Sequence, residues 1–249
     1  MVRFLKRYHF LWFLIFLAIL VRLIDNAFVL HLLIMVFSST SLGFAWNIIG
    51  GYGGQLSFGH AAFYGIGAYT STLLFVHFGI TPWLGMIAGG FLAIVASLIL
   101  GFPCFRLRGT YFTLATIAFA EVLKILAVYF KELTNGSMGI VLPFKSGFMN
   151  FMFKDREPFA FIALGFMAFV YYLSIWIENS RLGYYLTALK ENEDGARALG
   201  INTYQSKLIA LSISAFLTAL IGSFFAQYIT FIEPDSEFSL GKKGSNQCG

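Results

Sequence analysis

Two ionisable residues, Glu121 and Lys124, interrupt an otherwise apolar stretch of this sequence and are its first candidates for chemistry. Residues three apart share one face of a helix, so the two side chains can form an ion pair. A charge within a long apolar helix is costly, and by default it marks a functional position such as a solute or ion path. A neutralised pair that faces another protein surface is the second explanation, and we favour this structural or partner-facing role.

Residue groupings typical of catalysis or metal binding do not occur. His31, His60 and His77 are scattered, without the spacing of metal ligands. The sequence contains no Gly-x-Ser-x-Gly or His-Glu-x-x-His pattern, so a membrane-embedded enzyme would lack a convergent nucleophile, acid or metal set. Cys104 and Cys248 form no disulfide framework, and Cys104 is expected to be a small buried apolar residue. We predict no metal site, no bound cofactor and no enzymatic activity.

A glycine-rich segment, residues 50–59 (GGYGGQLSFG), is the second candidate. Each Gly costs a helix about 1 kcal/mol relative to Ala, so this segment cannot be a regular helix throughout. It lacks the Gly-Lys-Ser/Thr ending of a phosphate-binding loop and therefore indicates no nucleotide site. Two interpretations stay open: a tight turn between two spans, or a broken helix lining a transport path. In the second, the candidate path or gate residues, besides Glu121 and Lys124, are Gly53, Gly54, Gln55, Ser57 and Gly59.

A short polar helix is predicted near residues 192–200. Asn192 can cap its N-terminus, Glu193 and Asp194 suit its first turn, and Gly200 can end it. An ordinary solvent-exposed connection has the same appearance, so loop physics alone gives this helix no role.

The elements that must position these candidates are membrane helices. The chain is 58% hydrophobic and 12% charged, whereas a soluble domain carries about 25% charged residues. Basic residues end the apolar runs, so the net charge of +5 indicates membrane orientation and not nucleic-acid binding. The spacing of Gly85 and Gly89 predicts close helix packing. We predict one all-α domain, a polytopic transmembrane bundle with about seven spans: 8–24, 27–49, 58–79, 82–102, 110–130, 159–178 and 207–232.

Basic residues also predict the orientation of the bundle. Three of the first seven residues are Lys or Arg, which places the N-terminus in the cytoplasm. Alternation then puts segments 103–109 and 179–206 inside and segment 131–158 outside. The start of the chain resembles a signal peptide, but no small-x-small cleavage site precedes Arg22, so we expect an uncleaved first span.

Segment 194–200 resembles the cytoplasmic coupling loop of ABC importer permeases, whose motif is an acidic residue, two small residues, three variable residues and Gly. Here Asp194 replaces the usual Glu, and Gly195 replaces the usual Ala. Other matches run in order along the chain and are similar to branched-chain amino acid permeases of the LivM type. They comprise GYGGQLSFGHAAF at 51–63, RLRG at 106–109, LTNGSMGI at 133–140, TALKENE at 187–193 and ALGIN at 198–202.

This resemblance implies a set of partners in a bacterial inner membrane. A second related permease would complete the pore, and two cytoplasmic ATPases would bind ATP and Mg²⁺. A periplasmic protein would deliver leucine, isoleucine or valine to the outside, with help from segment 131–158. The coupling loop, 179–206, would contact the ATPase through eight residues: Glu191, Glu193, Asp194, Gly195, Ala196, Ala198, Leu199 and Gly200.

Two alternatives stay open beside the importer. Family members continue past the seventh span, whereas here a polar tail occupies residues 241–249, so we expect the C-terminal part of the family fold to be missing. The first alternative is a truncated membrane subunit that does not transport, because such a subunit would show the same spans and the same polar tail. An ion-coupled secondary transporter of small neutral solutes would also use broken helices, but it needs ionisable residues along an ion path, and here only Glu121 and Lys124 qualify.

Overall fold

The computed structural model of the protein describes residues 2–24, 26–107, 109–143, 147 and 151–234, with side chains from Trp12 onward. The polar tail at 241–249 lies outside the described residues. Within them, the chain is almost entirely helical, which confirms the all-α prediction. Seven long helices are α1 (Val2–Leu23), α2 (Ala27–Asn47), α3 (His60–Phe78), α4 (Pro82–Cys104), α5 (Thr110–Tyr129), α7 (Glu157–Glu178) and α10 (Thr203–Ile229). Three short helices are α6 (Lys131–Thr134), α8 (Arg181–Glu191) and α9 (Glu193–Ala198).

Each of the seven predicted spans corresponds to one long helix. By length and composition, five of them can cross a membrane: α2 with its extension to Tyr52, α4, α5, α7 and α10. In α1 the described apolar part is shorter, Trp12–Leu23. Helix α3 is less apolar, because it carries buried polar residues such as Ser71 and Thr72. Polar side chains are tolerated in a helix that is surrounded by protein more readily than in one that faces lipid. The count of seven spans is therefore approximate.

Helix α10 lies at the centre of the bundle, packed against α3 and α4. Glycines also allow α4 and α3 to approach each other closely. A Cβ at Gly89 would lie 3.1 Å from Cα of Gly67 on α3, and a Cβ at Gly85 would lie 2.9 Å from Cα of Ser71. Ser223 of α10 donates a hydrogen bond to the carbonyl of Gly67 (2.8 Å). The predicted packing role of Gly85 and Gly89 is confirmed, and it matches the use of small residues where helices meet in lipid.

The connections between the long helices gather at two ends of the bundle. Lys190 contacts Gly51 and Thr113 contacts Leu56 at one end, and Arg156 contacts Ala27 at the other. We call the first the α9 end; it contains residues 48–59, 105–107 and 179–202. The other is the β-pair end, where β1 (Ile140–Val141) pairs antiparallel with β2 (Phe231–Ile232). The described parts of the predicted inside loops share the α9 end, and those of the predicted outside segment lie at the β-pair end.

The connection between α7 and α10 differs from the prediction. It contains a second helix, α8, before the predicted short helix α9. Helix α10 also begins four residues before the predicted start of its span, because Asn202 caps it by accepting a hydrogen bond from the backbone N–H of Gln205 (3.1 Å).

Candidate functional site

The glycine-rich segment is an irregular stretch of backbone between two helices. Helix α2 ends in a π-helical turn, Ile48–Tyr52, and α3 begins only at His60. Residues 53–59 form no helix, and Gly54 has a φ of +64°, a conformation that favours glycine. The segment is irregular backbone, as its glycine content predicts, and it connects α2 to α3 at the α9 end. The choice between a turn and a broken helix stays open. The role of the segment in a transport path stays a prediction.

Side chains from α2 and α5 satisfy the backbone of this segment. Trp46 donates from Nε1 to the carbonyl of Ser57 (2.8 Å). Thr113 donates to the carbonyl of Leu56 (2.9 Å). Thr116 accepts from the backbone N–H of Phe58 (3.2 Å). Backbone without a regular hydrogen-bond ladder needs such partners inside a membrane protein.

Helix α8 lies directly against the same segment. Lys190 donates from Nζ to the carbonyl of Gly51 (3.1 Å). A Cβ at Gly53 would meet Leu186 at 3.5 Å, and a Cβ at Gly54 would lie 2.9 Å from Cγ of Lys190. The predicted gate segment and the predicted coupling loop are therefore in contact. No local sequence pattern indicates this contact.

Helices α8 and α9 form one compact unit at the α9 end. Ser180 accepts from the backbone N–H of Gly183 and caps α8, whose Leu186 and Leu189 are buried in the core. Asn192 then caps α9, as predicted, by accepting from the backbone N–H of Gly195 (2.8 Å). Gly200, with a φ of +83°, follows the end of α9. The predicted short helix is confirmed, including both of its ends.

The eight predicted coupling residues divide into two groups. Ala196 is buried against the core, and the carboxylate of Glu193 points to Lys207 of α10. Gly195 is half-buried. The exposed group includes Leu199, which is 83% exposed and therefore the most prominent apolar side chain of the unit. Its other members are Glu191, Asp194, Ala198 and Gly200.

Glu121 and Lys124 do not join the glycine-rich segment. Glu121 is exposed near the middle of α5, and Lys124 is half-buried. The segment touches α5 at Thr113 and Thr116, so Glu121 lies more than one helical turn away from it. The predicted path residues thus occupy two separate places, and the role of the charged pair stays a prediction.

Buried polar contacts of α10 also went unpredicted, and two of them involve ionisable side chains. Lys207 is 3% exposed and donates to Glu193 (2.7 Å). His60, at the start of α3, lies 2.7 Å through Nε2 from Oγ of Ser214, which donates to the carbonyl of Ala45. In sequence, a lone Lys early in an apolar span was the one available sign of the first contact. The contact of His60 with Ser214 joins residues of α3, α10 and α2 that are 154 or more positions apart in sequence, so no local pattern indicates it.

Comparison with known proteins identifies the family. A sequence profile described as "Branched-chain amino acid transport system / permease component" matches residues 26–243. The chain belongs to this family. The match includes the glycine-rich segment and the α8–α9 unit. Permease components are not themselves catalytic, and with five helices able to span a membrane the chain is a multi-pass membrane protein.

Several curated relatives carry matching names. The high-affinity branched-chain amino acid transport system permease protein LivM of Escherichia coli K12 is 32% identical over 219 residues, 78% of this chain and 51% of that protein. The LivH protein of Salmonella typhimurium LT2 is 28% identical over 238 residues, 86% of this chain and 77% of that protein. The chain spans about half the length of the LivM relatives it matches. No solved structure matches it.

Proposed function

We propose that this chain is a transmembrane permease subunit of an ATP-binding-cassette importer and forms part of the translocation path for leucine, isoleucine and valine. One observation carries the proposal: α8 packs on the glycine-rich segment, while the adjoining α9 leaves one face open to solvent. A protein that pushes on α9 therefore acts on an irregular stretch of membrane backbone through a single intervening helix. The names of the relatives supply the substrate class.

Two ATPase subunits hold ATP and Mg²⁺ in this proposal, and they dock on the exposed face of the α8–α9 unit. Leu199 is the main apolar contact of that face, with Asp194 and Glu191 at its rim. Docking of an ATPase on this face would remove the exposed Leu199 side chain from water, which is favourable. The α9 end then lies in the cytoplasm together with the N-terminus of the chain, and the membrane is the bacterial inner membrane.

A second related permease packs against α5. This helix is apolar and mostly exposed, yet Glu121 projects from near its middle. A carboxylate facing hydrocarbon is costly, so a protein neighbour is the favourable environment for it. A periplasmic amino-acid-binding protein approaches the opposite, β-pair end.

Affinity purification of the membrane-extracted chain from its native host tests the docking face. Mass spectrometry of the eluate is expected to find a P-loop ATPase with the unaltered chain and to lose it with Leu199→Asp. Leu107→Asp is the matched control, because Leu107 is a 41% exposed leucine at the same end but outside the α8–α9 unit. Equal recovery of the ATPase with both variants would contradict the assignment.

Uptake measurements separate the importer from an ion-coupled transporter. Cells with ATP depleted and the proton gradient intact are expected to stop accumulating leucine through this protein. Uptake that continues under these conditions would favour the secondary transporter.

A further inference from the structure

Lys207 is an almost fully buried lysine in the second turn of α10, with a side chain 4% exposed. Its Nζ donates to Oε2 of Glu193 at 2.7 Å, and Glu193 is the first residue of α9. A buried ammonium is stable only with a close counter-charge, so this pair fixes where α9 sits on α10.

The same carboxylate has a second, weaker partner. Its Oε1 accepts from Arg197 one turn along α9 (3.4 Å), and Arg197 also reaches Oγ1 of Thr203, the first residue of α10 (3.4 Å). The Arg197 side chain is 57% exposed, and solvent-exposed pairs contribute little. The strong connection between the two helices is therefore the buried pair of Lys207 and Glu193.

Apolar packing accompanies this pair. Ala196 of α9 is buried in the core cluster that also contains Ala210 and Leu211 of α10. A methyl group on an apolar surface can slide, because dispersion contacts have no direction. A short charge-assisted hydrogen bond has a direction and a length, so it sets the register between the two helices.

We propose that Lys207 and Glu193 are positioning residues that transmit a displacement of α9 to α10, and that Glu193 acts inside this chain and not in the contact with the ATPase. The inference rests on the proposed function, because it takes the displacement of α9 to come from an ATPase. Since α10 is packed against α3 and α4, a displacement that reaches its base reaches the centre of the bundle.

Four forms of the complete transporter test this inference in vesicles of bacterial membrane lipid: the unaltered chain, Lys207→Met, Glu193→Gln, and the exchange of Glu193→Lys with Lys207→Glu. Each is scored for folded chain by size-exclusion chromatography, for bound ATPase, for ATP hydrolysis and for leucine uptake. Arg197→Gln is the matched control, since it removes the exposed partner of the same carboxylate.

The two single variants are expected to keep the ATPase bound and hydrolysing ATP, while leucine uptake per ATP falls by about tenfold. The exchange is expected to recover uptake to within about threefold of the unaltered chain, because it restores an opposite-charge pair. Arg197→Gln is expected to change uptake by less than about twofold. A purely structural pair would lower folded chain, bound ATPase and uptake together, and would leave the ratio of uptake to ATP unchanged.

Three results would overturn the inference. The first is normal uptake per ATP in Lys207→Met, and the second is loss of the ATPase in Glu193→Gln as in Leu199→Asp, which would place Glu193 in the docking contact. The third is loss of folded chain in both single variants without recovery in the exchange, which would make the pair only a fold contact. Failure of the proposed function is recognised separately, because the unaltered chain would then retain no ATPase.

Discussion

Replacing Gly67 with Ala tests the contact between α3 and α10 at the centre of the bundle. A Cβ there would lie 2.6 Å from both Cα and the carbonyl carbon of Ala219, and closer still to the carbonyl oxygen. Carbon atoms in contact are ordinarily about 3.5–4.0 Å apart. The obstacle is backbone and not a flexible side chain, so the two helices must separate by about 1 Å to admit the methyl group.

The cost follows from three terms. Overpacking of this kind destabilises by about 1–3 kcal/mol. Separation of the helices also weakens the hydrogen bond from Ser223 to the Gly67 carbonyl, which contributes about 1 kcal/mol. The better helix propensity of Ala offsets about 1 kcal/mol. The net destabilisation is about 2 kcal/mol, or a melting temperature lower by about 4–8 °C.

Thermal unfolding of the detergent-extracted protein, followed by size-exclusion chromatography, measures this change. The matched control is Gly165→Ala, because Gly165 lies inside α7 with nothing within 4 Å of an added Cβ. That variant is expected to be neutral or slightly stabilised by helix propensity. Gly222→Ala, which obstructs the same interface from α10, should resemble Gly67→Ala, and the double variant should cost less than the sum. Equal melting temperatures for Gly67→Ala and Gly165→Ala would refute the reasoning.

Three further outcomes are expected. Trp46→Phe leaves the Ser57 carbonyl without its donor, at a cost of about 1–3 kcal/mol, and faster hydrogen exchange across the glycine-rich segment would show it. Asn192→Ala removes the cap of α9 and costs about 1 kcal/mol, so protease should cut near α9 faster in inside-out vesicles. In a chain whose Cys104 and Cys248 are replaced by Ser, a cysteine introduced by Leu199→Cys should react with an impermeant maleimide only from the cytoplasm, and one introduced by Met138→Cys only from outside. These two sites are 83% and 82% exposed, so the reverse pattern would invert the proposed orientation.

Locally encoded features were the predictable ones. Helix α9 could be predicted because the residues that cap it, form its first turn and end it all lie within nine consecutive positions, from Asn192 to Gly200. The irregular backbone at 53–59 followed from the high helix cost of glycine in that run. The long helices followed from apolar length, as they do whenever lipid demands internal hydrogen bonding.

Features that depend on distant partners were not predictable from one sequence. Lys190 and Gly51 are 139 residues apart, and nothing in either neighbourhood indicates the other. Helix α8 was not predicted because its composition is not apolar. The available signals were the cap at Ser180 and the spacing of the buried Leu186 and Leu189, which is typical of an amphipathic helix. The buried Ser71 and Thr72 of α3 are likewise explained only by the packing of α4 and α10 around this helix.

The position of the candidate site follows from the division of the long helices into two packed groups. Helices α3, α4 and α10 pack closely through glycines, while α2 packs mainly on α7, and α1 also packs on α7. Two connections join these groups at the α9 end: residues 48–59 from α2 to α3, and the α8–α9 unit from α7 to α10. The first is held by individual side-chain hydrogen bonds from Trp46 and Thr113, which can exchange one at a time without breaking a helix. If the two groups shift relative to each other, we expect the glycine-rich segment to absorb the shift and α8, which packs against this segment, to impose it.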